Sequence, residues 1–354
     1  MSYKKNIENM KQYTIVMLAL IMVSMVVDAC TRRPLVDEYI ESALVPVSID
    51  WSISGVPVDE MHRASVWLFP VDGGMPLEYR MEGDLTYREI AVPIGVYSVL
   101  VFNETVDEDD WNTMVFTGTS RYETFAAMGI PDAVRGFYSR TEDLPLIKNP
   151  EPLAAWSLDR FEVTPEMVLS TREIVRNYSP SYRSKLENEV PDLTVAKPLP
   201  RFERVVITAY VTFLSSSMQS TGTIDGMSAG VYMVSGEMVP TPAAHAFILN
   251  GRIYDANGDD GTTTRTFNIF GRLPGLTTQQ MNIDFLITDG TLHPRQEFDV
   301  TQLIYTKRDL IVKTHYINVG YDILNGDHLI ELPDMHMKAG ILVDGWDEVI
   351  IPLM

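Results

Sequence analysis

The 354-residue sequence predicts an all-β protein: two antiparallel β-sandwich domains in tandem with a short helical linker. Three observations predict it. Short apolar stretches recur along the chain, several alternating with polar residues at the period of two that gives a strand one buried face. Turn dipeptides separate them, among them Asp72-Gly73, Asn250-Gly251, Asn257-Gly258, Asp289-Gly290 and Asn325-Gly326. One segment alone has the start signals and spacing of a three-turn helix. Many short strands with scarcely any helix read as sandwiches, and no repeat of solenoid period is present.

In chain order, Lys4, Lys5 and Lys11 make a basic start. Tyr13 to Val27 is then an uncharged apolar run of about 15 residues, short for a membrane span and right for a secretory leader. It ends at Val27-Asp28-Ala29-Cys30, with Cys30 the only cysteine. An apolar residue three positions before a Cys and a small one directly before it resemble a bacterial lipobox. There the leader is cut between Ala29 and Cys30, and the sulfur takes a diacylglycerol. Asp28 departs from the small or hydroxyl residue usual at its position. The competing reading is an uncleaved anchor helix with a chance Cys; either puts the remainder outside a membrane. Residues 1–29 then form the signal peptide and 30–44 a polar tether.

Val45, Val47, Ile49, Trp51 and Ile53 alternate with polar residues and Pro46, a strand over Val45–Ile53. Proline cannot donate to a ladder, so Pro46 predicts an edge position. Ala64–Pro70, Leu85–Val92 and Gly95–Asn103 follow as strands, the last apolar on both faces and so central. Thr113–Thr117 and Ala154–Val163 complete the set, and Arg121–Met128, stopped by Gly129, reads as a short helix. Thr164-Pro165-Glu166 places an N-cap, a first-turn proline and a first-turn acid in order, predicting a helix from Pro165 to Asn177. Ser179 to Pro200 carries four prolines and marks the boundary between an N-terminal domain, 45–190, and a C-terminal one, 191–354. In the second, Val205, Ile207, Ala209, Val211 and Phe213 of Arg204–Leu214 alternate with residues that are mostly polar or aromatic. Further strands are expected at Gly230–Val234, His245–Tyr254, Thr263–Phe270, Met281–Thr288, Leu303–Tyr305, His315–Val319, His328–Leu332 and Gly340–Ile351.

Composition narrows function. With 45% hydrophobic residues the chain can build cores, so it is not a disordered tail. A formal charge of −20 repels nucleic acid and anionic lipid, and neither is an expected partner. Lipidation of Cys30 would leave no thiol for a disulfide, a zinc site or a nucleophile. No Gly-rich phosphate loop, HExxH or nucleophile-elbow Ser is present, so no cofactor and no enzyme activity are expected. The six His, at 62, 245, 293, 315, 328 and 336, are scattered and read as structural or solvated. Asp255, Asn257 and Asp259 put oxygen ligands at alternate positions, like the start of a calcium loop. Asp260 and Thr266 stand where such a loop needs Gly and Glu, so an acidic hairpin turn is the better reading. Glu104 to Asp110 reads as a solvated charge run.

Several segments together resemble the fimbrillin-like lipoproteins of anaerobic Gram-negative gut and oral bacteria. Cys30-Thr31-Arg32-Arg33-Pro34-Leu35 resembles the opening of their mature chains, and Val47-Ser48-Ile49-Asp50-Trp51-Ser52 their first strand. Val66-Trp67-Leu68-Phe69-Pro70 with Asp72-Gly73 is similar to their second. Pro93-Ile94-Gly95-Val96-Tyr97 through Asn103, the stretch Ser220–Val234 with Gly226-Met227, and the ending Asp344-Gly345-Trp346-Asp347 also fit. The order and spacing cover most of the chain beyond the leader.

The resemblance implies two transthyretin-like sandwiches on an outer-membrane lipoprotein, attached through the lipid on Cys30 and located at the cell surface or in a fimbrium. It implies other fimbrial subunits as partners, through strand exchange, and host or bacterial surface ligands for the assembled fibre. In polymerising members a trypsin-like protease cuts after a basic residue in the loop following the first strand. The strand leaves, and a neighbour's strand fills the groove, which is β-augmentation. Here the leaving strand would be Val45–Ile53, the cut would follow Arg63, and the donor would be Val343–Leu353. The competing reading of Arg63 is a solvated loop arginine in an uncut accessory subunit, and a cut at Arg32 or Arg33 would free the chain from its lipid. No surplus strand follows the last one, which favours an anchor or accessory subunit. The alternative is a surface glycan-binding lipoprotein, with Trp111 and Tyr138 as the aromatic platform.

Overall fold

The computed structural model describes residues 41–104, 106, 113–132, 144–177, 193–273, 275–276, 278–288, 296–308, 311–323 and 327–328. Strand is the dominant structure among them, with one α-helix. In the first half lie β1 (Ser42–Ile49), β2 (Arg63–Pro70), β3 (Leu77–Glu82), β4 (Tyr87–Pro93), β5 (Gly95–Asn103), β6 (Met114–Thr117), β7 (Ala126–Gly129), β8 (Leu146–Ile147) and β9 (Ala154–Val163). The helix α1 (Pro165–Asn177) follows, with the bounds the capping signals predict. Then come β10 (Leu193–Ala196), β11 (Leu199–Pro200), β12 (Glu203–Thr212), β13 (Ser217–Ser228), β14 (Gly230–Tyr232), β15 (Pro242–Leu249), β16 (Gly251–Tyr254) and β17 (Gly261–Ile269). The last are β18 (Gln280–Ile287), β19 (Gln296–Asp299), β20 (Ile304–Arg308), β21 (Lys313–Asp322) and β22 (Asp327–His328).

The chain divides into two units. The smaller holds the ends of β1, β4 and β9 together with α1. Thr164 Oγ1 accepts from Met167 N at 3.4 Å, closing the first turn as the sequence predicts. Hydrogen bonds from its own backbone N–H and from Thr164 hold the Glu166 carboxyl below the usual carboxylate range. Thr171 is buried, and its hydroxyl accepts from Leu44 N at 3.0 Å.

The larger unit contains the sheets. In the first half, β10-β1-β4 form one sheet and β11-β9-β5-β2-β3 another. In the second half, β16-β17-β12-β21-β20 faces β19-β18-β13-β15-β8. Between these two lies a core of Val205, Ile207 and Val211 on one side with Phe247, Ile283 and Phe285 on the other. Phe285 and Tyr321 stack there with ring centroids 4.9 Å apart.

The halves share sheets as well. In the third small sheet, β14-β7-β6, a second-half strand pairs with two first-half strands, Val231 opposite Ala127. β8 lines up parallel to β15, with Ile147 beside His245. The aromatic cluster of the first half, built on Trp67, Phe102 and Phe125, is closed by Val231, Met233 and Phe270 of the second. β10 and β11, inside or next to the proline-rich boundary segment, complete first-half sheets.

Several expectations change. Val45–Ile53 is not one strand: β1 stops at Ile49, and Asp50 accepts from Ser52 N at 3.0 Å, turning Trp51–Ile53 into a 3-10 turn. β1 is also central, between β10 and β4. Its pairing with β10 begins at Val47, one residue past Pro46, so the proline meets no demand for a donor there. Arg121–Met128 is a 3-10 turn followed by β7, because strands on both sides take up its backbone groups. The sheets are mainly antiparallel, but β1·β10, β8·β15 and β12·β21 are parallel. The predicted strand His245–Tyr254 divides at Asn250, β15 and β16 joining opposite sheets of the second half. Gly340–Ile351 and most of His328–Leu332 lie outside the described residues.

Candidate functional site

β1 and the residues around it form the site on which the strand-exchange expectation turns. Val45 and Val47 are fully buried, Ile49 and Trp51 nearly so, while Ile53 is exposed. The ladder of β1 to β10 is short. Val47 aligns with Leu193 and Ile49 with Ala196, with a register shift between them. Ile49 N donates to Thr86 O and Asp50 N to Ala196 O, each at 2.8 Å. By contrast, β2 and β5 align over seven consecutive pairs, from Ala64 with Asn103 to Pro70 with Tyr97. At the end of β1, Trp51 Nε1 donates to Leu85 O at 2.8 Å, and Lys197 Nζ lies 3.8 Å from Asp50 Oδ2. The Ser52 side chain and backbone, and then Lys197, hold the Asp50 carboxyl below its ordinary range.

Arg63 is not in the loop after this strand but is the first residue of β2. Its carbonyl accepts from Glu104 N at 2.8 Å, and its guanidinium sits 3.9 Å from Glu82 across the ladder. Ala64, on the far side of the candidate scissile bond, is completely buried. Glu104 also accepts from His62 N at 3.1 Å and takes a left-handed conformation, φ 68°, a rare one for a residue other than glycine. The segment before β2 is thereby tied to the end of β5.

The Asp255, Asn257 and Asp259 candidate is the β16–β17 hairpin turn, and its oxygens are in use. Asp255 accepts from the Tyr210 hydroxyl at 3.3 Å, Asn257 from Asp259 N at 3.2 Å, and Asp259 from the Ser215 hydroxyl at 3.3 Å. Asp260 accepts from Phe213 N at 2.8 Å, holding Phe213 at φ 57°. Among the described residues no group of three or more His, Cys, Asp or Glu is placed to hold a metal.

Sequence reasoning did not find what surrounds two of the histidines. His245 is fully buried. Asn149 Nδ2 donates to Ala246 O, so Asn149 Oδ1 is left to accept from His245 Nδ1 at 3.1 Å. His245 Nε2 has no partner, and burial pushes the imidazole pKa down to about 3. His315 lies between Glu203 Oε2, 2.6 Å from Nε2, and the Thr306 hydroxyl, 2.9 Å from Nδ1. Lys313 Nζ donates to Glu203 Oε1 at 2.8 Å. Burial pushes the Glu203 carboxyl up, but the hydrogen bonds from His315 and Lys313 outweigh it and hold the group below its ordinary value. No sequence signal marks either pairing, because the partners lie about 100 residues apart along the chain. Ala29, Cys30, Arg32, Arg33, Trp111, Tyr138 and Val343–Leu353 lie outside the described residues.

A family model described as a domain of unknown function (DUF5119) matches residues 29–247. Comparison with curated proteins finds no match. Among solved structures, a candidate adhesin from Bacteroides ovatus aligns at 20% identity and TM-score 0.50, over 77% of this chain and 88% of that one. A candidate adhesin from Bacteroides thetaiotaomicron aligns at 6% identity and TM-score 0.49, over 82% and 95%. The fimbrial anchor protein Mfa2 from Porphyromonas gingivalis aligns at 11% identity and TM-score 0.44, over 79% and 90%. The first of these shares the fold.

Proposed function

The chain belongs to the DUF5119 family, and from that premise we propose that it is a non-enzymatic, lipid-anchored fimbrial subunit of the anchor or accessory kind. In this reading residues 1–29 are a signal peptide, the lipid on Cys30 holds the chain at the outer membrane, and 30–44 is the tether to sandwich domains spanning 45–190 and 191–354. Other subunits join by strand donation.

The observation that carries the reading is the character of β1: a fully buried apolar row on a central strand whose ladder to β10 is short and broken. Its side chains fill apolar pockets, so a strand of the same alternating pattern could take its place. Its departure would expose ladder groups and apolar pockets that such a donor would satisfy. The Arg63–Ala64 bond supports the anchor or accessory role over a cleaved shaft subunit. A protease needs its substrate extended and free, whereas this bond is paired within β2 and followed by a buried residue.

Mass spectrometry of the protein from cell envelopes and from sheared surface filaments tests this. An acylated N-terminus at Cys30 in the envelope fraction is expected. An N-terminus at Ala64 in filaments would make the chain a cleaved shaft subunit and overturn the anchor reading.

A further inference from the structure

Three side chains that the fimbrial role does not use meet at one end of the sheet containing β12. Glu203 opens β12 two residues before Val205, so the strand period puts both on the core side. Across the parallel ladder Val205 aligns with His315 of β21, and across the next, antiparallel one His315 aligns with Thr306 of β20. β20 is the edge strand. Thr306 therefore lies exposed at the rim, while His315 and Glu203 behind it are only 1% and 8% exposed.

The bonds among the three have a direction. Lys313 Nζ donates to Glu203 Oε1 at 2.8 Å, which helps to keep the carboxylate ionised and leaves Oε2 for His315 Nε2 at 2.6 Å. A carboxylate only accepts, so the imidazole proton sits on Nε2. In the neutral ring Nδ1 is then a bare lone pair, and it accepts from the Thr306 hydroxyl 2.9 Å away. A hydroxyl aimed at a buried base, with that base oriented by a carboxylate, is the arrangement that activates an alcohol as a nucleophile. The other buried histidine lacks it: His245 has an amide oxygen at Nδ1 and no partner at Nε2.

We propose that Thr306 is an acyl-acceptor site, at which a carboxylic ester transfers its acyl group to the threonine hydroxyl. Thr306 Oγ1 attacks the ester carbonyl carbon, and its proton passes to His315 Nδ1. Glu203 holds the ring in place and stabilises the imidazolium that forms. The bond from the carbonyl carbon to the alkoxide then breaks, and His315 returns the proton to the departing alcohol. Thr306 is left as an ester, with no change of oxidation state. Thr306 and His315 are the reacting groups, and Glu203 is a positioning residue. One acylation modifies the chain without turnover, so the site is compatible with a structural subunit and does not depend on the fimbrial reading.

Treating the full chain with p-nitrophenyl acetate and mapping the acetylated peptides by mass tests it. Acetyl should appear on Thr306 at least about a hundredfold faster than on the exposed Thr117 and Thr266. Hydroxylamine should remove it, as it removes an ester and spares a lysine amide. Thr306→Val, which keeps the side-chain shape at an exposed position, should lose that acetyl with an unchanged melting temperature. His315→Gln should slow the labelling by about a hundredfold or more. Glu203→Gln should slow it by at least about tenfold, and nitrogen NMR should show why: His315 is protonated at Nε2 in the parent chain and partly at Nδ1 in the variant. Thr306 labelled no faster than Thr266, full labelling in His315→Gln, or a parent imidazole protonated at Nδ1 at about pH 8 would each overturn the assignment. The rate comparison and the NMR of the parent chain need no variant, so they decide the matter if a substitution prevents folding. The envelope and filament masses are independent of all these outcomes.

Discussion

Strands β12 and β13 follow each other in the chain, both lie inside their sheets, and they face each other across one core, yet they are built on opposite terms. β12 alternates Val205, Ile207, Ala209 and Val211 with outward residues and gains its place by the area those side chains bury. β13 reads Ser-Met-Gln-Ser-Thr-Gly-Thr-Ile-Asp-Gly-Met-Ser and gains its place by having little side chain at all. At Gly222 an added Cβ would stand 2.2 Å from the carbonyl of Asn282 and 2.6 Å from the ring of Phe247. The neighbouring strand and ring close in because nothing holds them off. Interior position can thus be specified by filling space or by leaving it, and only the first leaves a periodic trace.

The comparison can be broken most forcefully at Gly222. Gly222→Ala drives its methyl into a backbone carbonyl that cannot move alone, and should cost about 4 kcal/mol or more in chemical denaturation. On β12 the damage runs the other way. Ile207→Ala leaves a cavity in the core that it shares with Phe267 and Phe285, and should cost about 3 kcal/mol by the same measurement. A stability loss for Gly222→Ala smaller than that for Ile207→Ala would show that β13 is held by its few large side chains after all.

Acid separates the two sheets further, since each carries one buried histidine with a different partner. For His245, beside β13, the folded pKa lies far below the ordinary 6.5, so the unfolded chain binds the extra proton. The stability this group protects is complete above pH 6.5 and declines as pH falls toward about 3. On the order of 2–3 kcal/mol should be gone by about pH 4. In the β12 sheet, Glu203 has a depressed folded pKa, so its contribution is complete above its ordinary 4.5 and is lost only below it. Denaturation midpoints across pH 3–8 should therefore show an upper limb that His245→Gln flattens and a lower one that Glu203→Gln flattens. An upper limb unchanged in His245→Gln would remove that histidine from the account. The smallest effect belongs to neither sheet: Thr164→Ala should cost about 1 kcal/mol through the lost helix cap, visible as a small fall in melting temperature.

The same contrast explains what could be read in advance. Gly95–Asn103, Ala154–Val163 and Pro165–Asn177 have the bounds expected of them, because dense apolar runs and a complete capping signal are local facts. β13 was not legible, since serine, threonine and glycine give no period. β7 looked helical because its alanines and Met128 favour a helix, and only the strands on either side of it decide otherwise. At the candidate site, the alternation of Val45, Val47 and Ile49 was visible, whereas the turn at Asp50 and the capture of Arg63 in β2 depend on Ser52, Glu104 and Glu82. Thr306 and His315 are plain in the sequence. That they stand side by side, with Glu203 behind them, follows only from register.

By itself, then, the sequence determined an all-β chain with one capped helix, a net charge of −20, a lipobox-like residue pattern at Val27–Cys30 and a fimbrillin-like order of motifs. Each of these is written in neighbouring residues or in bulk composition. The tertiary structure alone decided that β1 is central and parallel to β10, that strands from the second half complete first-half sheets, and which buried donors lack partners. The physical reason is distance along the chain: ladder register and buried pairing join residues up to more than a hundred positions apart, and nothing local encodes which of the many possible partners a strand will meet.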